Sequence, residues 1–135
     1  MIYLTLQDLY TVITPEILDD VTEGDNTILD SAELSSMGEM TGYLSIRYDA
    51  TKCFDAMAKV PIVVQMLADI TLYHAHARIM PDNIPTLREK RYNNAITWCE
   101  KVADGFIAPA LPIKDAEPTT PLRYGNSGTK SNQYY

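Results

Sequence analysis

The stretch Pro61–Met80, PIVVQMLADITLYHAHARIM, decides the fold. Its residues Val63, Met66, Leu67, Ile70, Tyr73, His74 and Ala77 recur at the three- and four-residue spacing of one helical face. Pro61 suits a first helical turn, where a missing N–H costs nothing, and Pro81 marks the far end. The spacing predicts a helix of about 18 residues, roughly 27 Å long. Asp69 interrupts the apolar run, so it either points to solvent or meets a buried cation. His74, on the apolar face, reads as a hydrogen-bonded core residue.

Working outward, a second strong helix follows the loop PDNIP. Thr86 and Glu89 have capping-box spacing before LREKRYNNAITWCEKVAD, and Gly105 stands where a helix ends in the left-handed region. Leu87, Arg91, Ala95, Trp98, Cys99 and Val102 are the expected inner face. Upstream, Ile28–Tyr48 reads as a long helix. Its small residues Ala32, Ser35, Ser36, Gly38 and Gly42 suggest close approach of a neighbour, against a cost of about 1 kcal/mol per interior glycine. Asp49–Lys59 is a linker or short helical turn. Two short helices come first: Thr5 with Asp8 forms a capping box for LQDLYTVI, and Thr14 caps PEILDDV with Pro15 leading. Pieces this short persist only when docked.

Residues 106–135 differ in character. They hold four of the eight prolines, little periodicity and many small polar residues. They are expected to be an extended or disordered arm, with Tyr124, Asn126, Tyr134 and Tyr135 as anchors if the arm lies on a partner. The fold class is therefore all-α: a compact bundle of about three longer helices plus short N-terminal ones, spanning residues 1–105, with an arm over 106–135.

Charge narrows the function classes. Residues 1–60 carry eleven acids against three bases, and residues 61–135 seven against eight, within a net charge of −7. A broad basic patch for phosphate is disfavoured, whereas an acidic lobe suits charge-guided docking. No run is apolar enough for a membrane span, and no signal peptide is evident. Cys53 and Cys99 read as reduced, packed thiols.

Little points to catalysis. His74 and His76 are two apart and diverge on a helix, so they do not share a metal. Thr22–Asp30, TEGDNTILD, fails the EF-hand spacing and reads as a polar turn. No phosphate loop, nucleophile elbow or C-x-x-C pair occurs, and no cofactor is called for. Arg47, Asp69 and Arg91 fall on or beside apolar faces of three helices and are the expected buried polar group.

With the segments placed, the chain resembles the small helical head–tail joining proteins of tailed phages and Mu-like prophages. The resemblance rests on TLQDLYTVITPEILDDVTEGD, on Gly42-Tyr43-Leu44 with Arg47-Tyr48, on Val60-Pro61 with Ala68-Asp69-Ile70 and Tyr73, and on Arg91-Tyr92-Asn93-Asn94-Ala95-Ile96-Thr97-Trp98. The ending GNSGTKSNQYY is similar to polar tails of some members. Cys99 departs from the usual Leu, and the link between Tyr48 and Val60 lacks the common prolines. The resemblance implies a non-enzymatic virion protein at the head–tail junction, present in the host cytoplasm during assembly. It implies a connector ring of about twelve copies below the portal protein, each touching its neighbours and a tail stopper or tail-tube protein. DNA would pass through without sequence-specific binding. The alternatives are another assembly or tail-completion protein, or a small helical regulatory module.

Overall fold

The computed structural model describes residues 1–79 and 81–114. Among the described residues six helices follow in order: α1 (Leu6–Leu9), α2 (Pro15–Thr22), α3 (Thr27–Leu44), α4 (Ala50–Cys53), α5 (Pro61–Ile79) and α6 (Thr86–Asp104). Among the described residues there is no strand, only an isolated antiparallel bridge between Tyr48 and Ile113. The protein is all-α.

Helix α5 is the centre. It packs against α1, α2, α3 and α6, and all six residues from Leu67 to Leu72 are buried. Six consecutive positions turn through more than one full helical circuit, so the helix has no solvent side at its middle. The single apolar stripe expected from spacing is thus too narrow. Met66, Tyr73, His74 and Ala77 sit half-buried at its margins, and the core histidine is His76.

The N-terminal helices start as their sequences dictate. The Thr5 hydroxyl accepts from the Asp8 N–H at 3.3 Å, and the Asp8 carboxylate accepts from the Thr5 N–H at 2.8 Å. Thr14 accepts from the Ile17 N–H at 3.4 Å, with Pro15 at the first helical position. Ahead of them, residues 2–4 are held by a buried carboxylate. Glu33, fully enclosed on α3, accepts from the backbone N–H groups of Ile2, Tyr3 (3.0 Å) and Leu4 (2.6 Å). A carboxylate out of water is costly unless its lone pairs are filled, and three amides fill them here. Tyr3 and Leu4 are then buried, and the Tyr3 hydroxyl accepts from the Val60 N–H.

Three expectations are corrected. Gly38 and Gly42 face solvent, and a methyl group added at either would meet nothing, so they do not admit a neighbouring helix. The capping box at Thr86 does not form; Pro85 precedes the helix and no side chain caps it. The inner face of α6 is the expected one at Ala95, Cys99 and Val102 and departs from it in the first turn. Leu87 is 65% exposed, while Arg88 turns inward with Ala95, Cys99 and Val102.

At its other end α6 stops at Gly105, whose φ of 86° is the left-handed conformation that favours glycine. Arg47 lies across that turn, its Nε donating to the Ala103 carbonyl at 3.0 Å. A Cβ at residue 105 would come within 2.9 Å of the guanidinium. The chain then folds back: the Asp49 N–H donates to the Pro112 carbonyl at 3.0 Å, the Lys114 N–H to the Arg47 carbonyl at 3.2 Å, and Leu111 is buried. Residues 106–114 are extended but pinned to the helical unit, so packing continues past the boundary expected at residue 105.

Glu33→Ala removes the acceptor for three backbone amides and is expected to lower unfolding free energy by about 3 kcal/mol. Chemical denaturation of the variant measures it, and a loss within error of zero contradicts the assignment.

Candidate functional site

Asp69 lies on the central helix and is only 3% exposed. Two arginines on α6, one turn apart, reach it. Arg91 Nε donates to Asp69 Oδ1 at 2.8 Å, and Arg88 Nη1 stands 3.9 Å from the same oxygen. Arg88 Nη2 donates to the Val12 carbonyl at 3.3 Å, tying in the turn between α1 and α2. Arg88 Nη1 is buried with no hydrogen-bond partner among the described residues. Burial pushes the Arg88 guanidinium below its ordinary range; Asp69 opposes that shift and Arg91 adds to it.

Of the expected polar group, Asp69 and Arg91 therefore meet. Arg47 does not join them and caps the C-terminus of α6 instead, because its helix ends at the far side of the bundle. Tyr124, Asn126, Tyr134 and Tyr135 lie outside the described residues. Arg88 and Glu33 were missed. Both had a readable signal: Glu33 sits in step with Leu29, Ser36 and Met40, and Arg88 shares a face with Arg91, Ala95, Cys99 and Val102.

Around this seam the surface is concave. A cavity of about 500 Å³ is floored by Arg88 and His76 and walled by Ile17 and Leu87. A second, of about 550 Å³, is lined by Lys59, Val64 and Gln65. Thr11, Val12 and Arg91 line both, so the two form one groove divided by the α1–α2 turn. Lys59 is matched within it by Asp8 at 2.6 Å. His76 holds its Nδ1 proton on the Leu72 carbonyl at 2.9 Å, and burial keeps its pKa below the ordinary 6.5.

A second polar junction joins the three long helices. Glu39 of α3 accepts from the Tyr92 hydroxyl of α6 at 2.7 Å and faces His74 Nε2 of α5 at 3.0 Å. Tyr73 stacks on Tyr92 with ring centroids 4.0 Å apart. Burial and then the Glu39 bond raise the Tyr92 phenol well above the usual tyrosine range. Cys53 and Cys99 are both free and buried; burial, followed by the charges of Glu39 and Glu100, pushes the Cys99 thiol up to about 12. A thiol so protonated is a packing group rather than a nucleophile. Among the described residues no cluster of three or more His, Cys, Asp or Glu has metal-binding geometry.

Fold and surface together define a small helical domain with polar locks inside and an open, cation-floored groove outside. Residues 3–124 match the family model described as Bacteriophage Mu, Gp36, and the chain belongs to that family. It is thus a phage protein of the Mu type. No curated protein matches the chain, and no solved structure does.

Asp69→Ala leaves two guanidiniums facing each other without a counter-charge. It is expected to cost about 3–5 kcal/mol and to lower Tm accordingly. An unchanged Tm would show that the seam carries no net stabilisation.

Proposed function

We propose that the chain is a head–tail adaptor, a virion structural protein that forms a ring below the portal. The observation that carries this reading is membership of the Mu Gp36 family over residues 3–124, together with the order of motifs that resembles head–tail joining proteins. The surface supports it. Met57 is 93% exposed, Phe106 82% and Ile113 75%, and Ile2, Ile46 and Leu87 are also open to solvent. Large apolar side chains left outside a well-filled core suit burial against other subunits.

In this reading the partners are the portal, neighbouring copies and a tail stopper or tail-tube protein, and the chain performs no catalysis. Its interfaces are heterologous, each copy presenting one face to the copy before it and another to the copy after, and they close into a ring. The acid excess of residues 1–60 would let DNA pass without adhering, since phosphate affinity comes from Lys and Arg. No described helix is long and apolar enough to cross a membrane. The location proposed is the head–tail junction of the virion.

Native mass spectrometry of the full chain with the portal protein of the same phage tests the reading. The expected species is a portal-bound ring whose copy number matches the portal's symmetry. A chain that stays monomeric and leaves the portal unoccupied at micromolar concentration would overturn it.

A further inference from the structure

The groove beside the α1–α2 turn holds a charge that is not balanced among the described residues. Its floor brings two guanidiniums, Arg88 and Arg91, to one carboxylate, Asp69, and both address the same oxygen of it. The remaining pair at the groove, Lys59 and Asp8, is neutral as a unit. One positive charge is left over at the groove floor, in a chain whose net charge is −7. Arg88 is the sharper case. Its side chain is nine-tenths buried beneath the cavity, Nη2 is used on the Val12 carbonyl, and Nη1, enclosed 3.9 Å from Asp69, has no hydrogen-bond partner among the described residues, so Arg88 lends the floor its charge rather than a donor. Arg91 is about one-third exposed and gives only its Nε to Asp69, leaving its terminal amino groups without an acceptor among the described residues. A guanidinium fork with free donors fits a carboxylate in a planar, two-bonded arrangement.

We infer that this groove binds a peptide segment of a partner protein in which an aspartate or glutamate is flanked by apolar side chains. The carboxylate sits on Arg91 at the divide between the two cavities, above the charge of Arg88. The flanking side chains enter the two lobes, one against Ile17 and Leu87, the other against Val64. Each lobe, at about 500 and 550 Å³, has room for a leucine or larger side chain. Apolar walls argue for a peptide over a nucleic-acid backbone, whose phosphates carry no apolar neighbours to fill the lobes. The inference stands whether or not the chain forms a ring.

Side-chain NMR of the full chain tests it, reading the arginine Nε–H resonances during titration with acetyl-Val-Glu-Leu-amide, acetyl-Val-Gln-Leu-amide and inorganic phosphate. The glutamate peptide is expected to shift Arg88 and Arg91 saturably, about tenfold more tightly than the other two probes. Leu87→Asp, at an exposed position on the groove wall, should weaken that binding by about fivefold through repulsion, leaving the fold intact. Arg91→Gln should abolish it, with Tm recorded alongside because Asp69 loses a partner. Equal binding of the glutamine peptide, equal binding of phosphate, or no shift at either arginine would overturn the proposal. So would self-association of the chain that Arg91→Gln abolishes, since the occupant would then be a second copy.

Discussion

A helix with no solvent side at its middle cannot leave a charge there unanswered, and the middle of α5 carries an aspartate. Leu67 to Leu72 are all buried, and Asp69 stands among them. Helix α6 presents two cations to it, and a carboxylate buried there without them would carry a desolvation penalty that is a large fraction of a small domain's total stability. That requirement orients the first turns of α6. Arg88 and Arg91 must face inward, which sends Leu87 out to solvent and creates the walls and floor of the groove. The inward turn of Arg88 and the charge at the groove floor both trace to this aspartate.

The same solution recurs twice with different donors. Glu33 is enclosed on α3 and satisfied by three backbone amides, which fastens residues 2–4 over the bundle. Glu39 is shared between Tyr92 and His74 and ties the three long helices at a half-buried junction. Arg47 inverts the logic: a cation meets the carbonyl ends of α6, where the helix dipole is negative. Side chains of these types set specific angles between helices more sharply than apolar contacts, which tolerate rotation. A domain that must present fixed faces to several neighbours has use for such locks.

Much of the architecture was legible because its causes are local. Caps at Thr5 and Thr14, Pro15 and Pro61 at helix starts and Gly105 at a helix end act within a few residues, and each stands where its chemistry predicts. Most of the failures are long-range: nothing near Gly38 or Gly42 shows that they face water. The lost cap at Thr86 is the local exception, since Pro85 beside it takes the cap position. Pairing Arg47 with Asp69 was plausible by face and wrong by end, since helical periodicity gives direction around an axis but not position along a neighbour's. Arg88 is masked in the sequence by Leu87 beside it, the more apolar of the two and yet the exposed one. Its real role depends on a carboxylate nearly twenty positions away.

Family membership identifies a phage protein of the Mu Gp36 type, and the structure explains how so short a chain holds its shape around a single buried helix. Amide hydrogen exchange on the full chain tests that claim most directly. If α5 is the enclosed spine, the amides of Leu67–Leu72 exchange only through global unfolding and are the slowest in the molecule. If they exchange faster than the middle of α3 or α6, α5 opens on its own, and the account built on Asp69 fails.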